Sequence, residues 1–282
     1  MLVFTNKNKI GTYVTSLKEE GTKIGFVPTM GALHQGHMSL IKEGLLNNGV
    51  MVVSIFVNPT QFDNADDLKK YPRTLEEDVA LLKTVSPNII VYAPNVDDIY
   101  EGNTVAQHFS FDGLEFEMEG RFRKGHFDGV GTIVKRLFEI VAPDNAYFGE
   151  KDFQQLTIIK KLVSKYHLGV NIVGCKIHRE ANGLAMSSRN VRLKPDYKIA
   201  APFIYKTLQE AQIKFGTKSA TIVTQWVERQ FANHDILELE YFIIADVDTL
   251  KTVKRKHKTN TYRAFIAVYA GDIRLIDNIA LN

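Results

Sequence analysis

Two imidazoles, His34 and His37, sit three residues apart in PTMGALHQGH, a stretch that also holds Met30, Gly31 and Gly36 and follows the apolar run IGFV (24–27). A helix beginning near Gly36 would turn unpaired backbone N–H groups and a partial positive charge toward the loop before it. Glycines let an anion approach that backbone, and rings at i and i+3 point the same way, so both could donate to phosphate oxygens. Spacing alone leaves three readings open. They are a phosphate cradle, histidines that cap a turn, and a metal pair, although no convincing third ligand stands nearby.

Other segments offer polar groups of the same kind. SIFVNPTQF carries Asn58, which also fits a turn, and Gln61, whose apolar neighbours Phe56, Val57 and Phe62 suit a ligand bearing hydroxyls or a carboxylate. FGEKDFQQ carries Gly149, Lys151, Asp152 and Gln155. The lysine is a point charge suited to phosphate, the aspartate a candidate N-cap, and Gln155 is placed about one turn into the next helix, across from Gln61. MSSRN (186–190) clusters the donors Ser187, Ser188 and Arg189, a set that fits phosphate oxygens but is also common in loops. EGRFRKGHFDGV adds Arg121, Arg123, Lys124 and His126, as an anionic-ligand lid or an ordinary surface loop. In TLEEDVALL, Asp78 lies in a first helical turn where acids suit the dipole; a magnesium-associated role is the weaker alternative.

These residues need elements to position them. Apolar runs at 24–27, 50–57, 88–92, 145–149 and 170–174 predict strands buried on both faces. Amphipathic segments between them, HMSLIKEGLL, TLEEDVALLK, VGTIVKRLFEIV and DFQQLTIIKKLVSKY, predict helices. The alternation predicts an α/β fold with a parallel, Rossmann-like sheet over residues 1–175, whose ligands bind beyond the strands' carboxyl ends. A smaller α+β domain is expected over 176–282, with helices near 195–214 and 217–232 and a hairpin turning at Ala270–Gly271–Asp272. The basic run KTVKRKHK (251–258) reads as a solvated loop.

Composition narrows the class. With 45% hydrophobic and 24% charged residues among 282, the chain reads as an ordinary globular protein. A net charge of +3, from 35 basic and 32 acidic residues, is too mild to argue for nucleic acid. The single Cys175 excludes an internal disulfide and fits a reducing compartment. No apolar run reaches membrane-spanning length, and the N-terminus lacks a signal-peptide core, so a cytoplasmic location is expected.

Taken together, PTMGALHQGH resembles the HIGH-type motif of the nucleotidyltransferase superfamily, and MSSRN resembles its mobile KMSKS-like loop. The ordered strings VPTMGALHQGHMSLI, SIFVNPTQF, YPRTLEEDV, GHFDGVGTIV, FGEKDFQQL, REANGLAMSSRN and RLIDNI are similar to the pantothenate synthetase (pantoate–β-alanine ligase) family across nearly the whole chain. The resemblance implies a two-step ligase: ATP and pantoate form pantoyl adenylate and pyrophosphate, then β-alanine yields pantothenate and AMP. It implies His34, His37 and Lys151 as catalytic groups. Met30, Gly31, Gly36, Gly149, Asp152, Met186, Ser187, Ser188 and Arg189 would bind ATP. Gln61 and Gln155 would grip pantoate, Asn58 and Arg123 would help near the phosphates and the second substrate, and magnesium would ride on the ATP phosphates. A homodimer through the first domain, no membrane or nucleic-acid partner, and a C-terminal lid also follow. One position departs from the pattern: His178 stands where a small aliphatic residue is usual, its backbone facing adenine. The alternatives are a related adenylate-forming ligase for another small carboxylic acid and a catalytically silent nucleotide-binding regulator.

Overall fold

The computed structural model describes residues 1–282. Packing divides them into two compact units, residues 1–150 with 154–176, and residues 151–153 with 177–282. The division departs from a single cut near residue 175 at one place: Lys151–Phe153 group with the C-terminal unit, although both flanking segments belong to the first.

In the first unit, β1 (Leu2–Phe4) and α1 (Lys7–Glu19) precede β2 (Ile24–Thr29), α2 (Gln35–Leu45) and β3 (Val50–Ile55). Then come α3 (Ala65–Lys70), α4 (Leu75–Lys83), β4 (Ile90–Tyr92), α5 (Val96–Tyr100), α6 (Glu119–Phe122), α7 (His126–Val141), β5 (Asn145–Gly149), α8 (Phe153–Lys165) and β6 (Asn171–Cys175). The six strands form one parallel sheet in the order β1-β4-β3-β2-β5-β6. Strand β2 is buried at nearly every position because helices cover both faces, which is why IGFV shows no polar alternation. On one face Val27, Met38, Ile41, Met51, Val53, Leu82 and Val91 form a continuous core. Each such side chain stabilises the fold by roughly 1.5–3 kcal/mol relative to exposure.

The chain leaves β2 toward β3 on one side and later returns through α7 to β5 on the other. The order therefore reverses at β2, the kind of position where open α/β sheets bind ligands beyond the strands' carboxyl ends. Helix α7 starts at His126, four residues before the apolar pattern predicts, and buries His126 and Phe127 in its first turn. The segment expected as a lid or loop is thus partly helical, although Arg121 and Lys124 are exposed.

The second unit holds α9 (Pro195–Ala200), α10 (Phe203–Thr217), α11 (Ala220–Ala232) and the antiparallel sheet β7 (Leu237–Asp246), β8 (Tyr262–Ala270), β9 (Ile273–Ala280). The helix expected over 195–214 is interrupted around Pro202. Leu208, Ala211, Phe215, Val223, Val227 and Phe231 of the helices pack with Ile244, Ile266 and Val268 of the sheet. The β8–β9 hairpin turns at Gly271–Asp272, where Gly271 adopts φ 65°. The basic run is an exposed loop between β7 and β8, with Lys256 over the Phe215 ring.

Candidate functional site

The loop after β2 is held by several independent contacts. Thr29 Oγ1 donates to Ser54 O (2.7 Å) and accepts from Gly31 N (3.2 Å). Gly31 and Ala32 both take positive φ, 82° and 50°, which turns the chain from strand to helix. Asp78 then accepts Ala32 N at Oδ2 (3.0 Å) and Leu33 N at Oδ1 (2.6 Å). Burial pushes the Asp78 carboxyl above its ordinary range, and these N–H bonds oppose the shift. With both oxygens accepting from backbone N–H groups, Asp78 clamps the loop.

His34 is the N-cap of α2. Its Nδ1 accepts from Gly36 N (3.1 Å), while His37 Nδ1 accepts from His34 N (3.3 Å), a reciprocal cap. The rings lie 4.1 Å apart. A nitrogen that accepts an N–H bond carries no proton, so in each neutral ring the proton sits on Nε2. The structure shows the capping reading, and the cap sets the tautomer that places the proton on Nε2. One expectation changes: the N–H of Gly36 is directed at His34, so it is not among the unpaired N–H groups expected at the helix start.

Beside this loop, the turn Pro59–Gln61 follows β3. Gln61 Nε2 approaches Met30 Sδ (3.2 Å), and its Oε1 accepts from Asn58 Nδ2 (3.1 Å). Asn58 is buried, also donates to Gly129 O (3.2 Å), and accepts from Tyr100 OH (2.6 Å) and Thr60 Oγ1 (3.1 Å). Its four hydrogen-bonding positions are filled, so it supports Gln61 rather than offering a free amide to a ligand. Gly129 lets α7 press on the same turn, because a Cβ there would meet Thr60 O at 2.2 Å and Gln61 Cα at 2.7 Å.

His126 fixes the Gln61 backbone. Gln61 O can only accept and Arg123 can only donate. So His126 Nδ1–H donates to Gln61 O (2.7 Å), and Nε2 accepts from Arg123 Nη1 (3.1 Å). Burial, aided by the Arg123 charge, lowers the imidazole pKa to about 4. Arg123 also reaches Asp63 Oδ1 (3.3 Å) and Gln61 O (3.4 Å), so its guanidinium braces this turn.

Gly149 ends β5 opposite Cys175, whose thiol burial pushes up to about 12 and so excludes as a nucleophile at neutral pH. The two glutamines of the next helix divide their tasks. Gln154 is buried and staples the 114–119 loop, donating to Leu114 O (2.9 Å) and Glu117 O (2.7 Å) and accepting from Glu119 N (3.0 Å). Gln155 is half-buried in the first turn of α8. Parallel pairing puts the ends of β3, β2 and β5 on one sheet edge, so the Gln61 turn and the α8 start flank the histidine loop.

Within the second unit, Lys151 Nζ lies 3.5 Å from Asp152 Oδ1, and Asn278 Nδ2 donates to Lys151 O (2.9 Å). Asp152 sits in a short 3-10 turn, Glu150–Asp152, instead of acting as the expected N-cap. His178 O accepts from Met186 N (3.0 Å) and its side chain is exposed, so its structural part is played by the backbone. A tight turn follows, with Gly183 at φ 93°. Arg189 N donates to Ser187 Oγ (3.3 Å), Ser188 is buried, and Asn190 ties the turn to Glu180 Oε1 (2.9 Å) and Ala185 O (3.1 Å).

Sequence reasoning missed His126 as a brace, Asn190 and the pair Asp277–Asn278. Only their positions inside GHFDGV, MSSRN and RLIDNI hinted at them. Nowhere do three His, Cys, Asp or Glu side chains gather in a metal-binding group.

The pantoate-beta-alanine ligase family model matches residues 2–280. A pantothenate synthetase of Flavobacterium psychrophilum is 61% identical over 281 residues, and one of Christiangramia forsetii is 55% identical over 282; each alignment covers 100% of both chains. The crystal structure of pantothenate synthetase from Thermus thermophilus matches with a TM-score of 0.91 at 35% identity, covering 100% of this chain and 99% of that one. A pantoate-beta-alanine ligase from Francisella tularensis, complexed with beta-gamma ATP and beta-alanine, matches with a TM-score of 0.82 at 35% identity, covering 100% and 98%.

Proposed function

The chain belongs to the pantoate-beta-alanine ligase family, and from that premise we propose how its own residues carry out the reaction. It condenses pantoate with β-alanine at the expense of ATP. A pantoate carboxylate oxygen attacks the α-phosphorus, and the bond to the bridging oxygen breaks to release pyrophosphate. The β-alanine amine then attacks the acyl carbon and loses a proton, and AMP leaves.

The observation that carries the reading of the site is the reciprocal His34–His37 cap at the end of β2. Its fixed Nε2–H donors suit the negative charge that grows on the phosphates in the transition state. Further loss of a proton from a neutral imidazole would be costly, so His37 acts here as a hydrogen-bond donor and not as a proton-transferring acid. Met30 and Gly31 line the nucleotide side of the loop. Gln61 and Gln155 hold pantoate's hydroxyl and carboxylate, with Asn58, His126 and Arg123 keeping Gln61 in place. For the second unit, the family resemblance supports Lys151, Asp152, Ser187, Ser188 and Arg189 as contacts to ATP's ribose and phosphates, and the His178 backbone as a contact to adenine.

Magnesium would be held by the ATP phosphates and water, as such ions usually are with nucleotide substrates. When bound, it neutralises phosphate charge. We place the reaction in the cytoplasm; no helix is long and apolar enough to cross a membrane. Two copies pair through the N-terminal unit, which sedimentation would test.

The deciding assay follows AMP release while ATP, pantoate and β-alanine are omitted in turn, together with ATP–pyrophosphate exchange. AMP formation should need all three, and exchange only ATP and pantoate. Exchange driven by another small acid but not by pantoate would overturn the assignment.

A further inference from the structure

Strand β9 carries Asp277 and Asn278 side by side, and both are buried. Asn278 is 1% exposed and uses both ends of its amide. Its Oδ1 accepts from Arg263 Nη1, and its Nδ2 donates to Lys151 O (2.9 Å). The segment it grips is secured twice more: the Arg263 guanidinium lies 4.2 Å from the Phe153 ring centroid, and Phe153 packs 5.9 Å from Phe265. Phe265 is the cross-strand partner of Asn278. These contacts explain why Lys151–Phe153 group with the C-terminal unit while Glu150 and Gln154 do not. Next to it, Asp277 takes Arg179 Nη1 (2.6 Å) and Nη2 (3.0 Å), and Arg179 stacks on Tyr205 and donates to Gly183 O (3.1 Å). One dipeptide therefore grips both the GEKDF segment and the turn leading to Ser187–Arg189.

We infer that Asn278 is a positioning residue for Lys151, acting through the lysine's carbonyl to set where the ammonium is presented. This rests on the reading that Lys151 meets the nucleotide phosphates. Because the contacts run through backbone and aromatic packing, the lysine follows the C-terminal sheet. A displacement of about 1 Å in a charge-stabilising group can cost about 100-fold in rate.

Asn278→Asp isolates the contact. The carboxylate keeps an acceptor for Arg263, but loses the N–H that holds Lys151 O and sets an oxygen against that carbonyl. Pantoate-dependent ATP–pyrophosphate exchange is measured for the wild type, N278D, Lys151→Ala and the double variant, with thermal unfolding of each as the check on folding. N278D should lower the kcat of exchange by roughly 10- to 100-fold, with the KM for ATP and for pantoate within about threefold. In the Lys151→Ala background the same change should alter the rate by less than about threefold, as expected of a residue acting through the lysine. A folded N278D with wild-type exchange overturns the inference and leaves the role of Lys151 standing. Equal losses in both backgrounds also overturn it. Undiminished exchange in Lys151→Ala instead removes the assignment of Lys151, and the inference with it. If N278D fails to fold, the smaller Asn278→Ser carries the same comparison.

Discussion

At the scale of single residues, His126 shows how a titratable group can serve by staying neutral. Its pKa is about 4 in the fold, against about 6.5 for a free imidazole. Between these values the unfolded chain holds a proton that the folded chain does not, so stability rises with pH across that window and is lost as pH falls. Each unit of separation corresponds to about 1.4 kcal/mol, so the loss from pH 6.5 to pH 4 totals roughly 3 kcal/mol. His126→Asn keeps a donor near Gln61 O and has nothing to titrate. Denaturant melts at pH 7, 6, 5 and 4 should show that H126N loses less stability on acidification than the wild type. Equal slopes would mean that some other group governs acid lability. This residue was legible in GHFDGV only as a possible donor, because its burial depends on how α7 meets the Pro59–Gln61 turn. His34 and His37 were legible as a pair, since i, i+3 spacing at a strand end limits their geometry. The return bond that fixes their tautomer could only be seen in three dimensions.

At the scale of elements, β2 to β6 could be read from their apolar runs; β2, β3, β4 and β5 are largely buried, as expected of covered parallel strands, whereas the edge strand β6 is only half-buried. Strand β1 was not read although MLVF is apolar: it is an edge strand, and Leu2 and Val3 are about half exposed, so burial does not mark it as sheet. The start of α7 was hidden by GHFDG, whose glycines suggest a loop. Gly129 is there because the helix lies against another backbone, a demand that no local pattern expresses. Gly129→Ala would put a methyl 2.2 Å from Thr60 O and 2.7 Å from Gln61 Cα, both backbone atoms that can yield only by moving the turn. Overpacking of this kind costs about 1–3 kcal/mol. Displacing Gln61 should raise the pantoate KM by about tenfold or more, while the ATP KM changes by less than about threefold. Steady-state kinetics with each substrate varied would check this. A pantoate KM unchanged in a folded variant would show that Gln61 does not depend on the α7 contact.

At the scale of the whole molecule, a change of rhythm after Cys175 marked a second domain, but the crossing of Lys151–Phe153 into that unit left no trace in hydropathy. It depends on an asparagine and an arginine 100 or more positions away, and a contact so distant in sequence has no local signature. Each unit has its own apolar core, around Val27, Met51 and Val53 in the first and Leu208, Val227 and Ile266 in the second. The buried Arg179–Asp277 pair lies wholly in the second. Burial raises the Asp277 carboxyl, and the Arg179 charge acts against that shift, so ionised Asp277 depends on its partner. Asp277→Asn would leave an amide oxygen to accept from Arg179 but no countercharge, and breaking a buried pair costs about 3–5 kcal/mol. If the cores are separately cooperative, hydrogen exchange in D277N should quicken in β7, β8, β9, α10 and α11, while Phe26, Val52 and Val91 keep wild-type protection. Loss of protection at those three amides to the same extent would show that the 282 residues open as one unit, and that the two cores share a single unfolding transition.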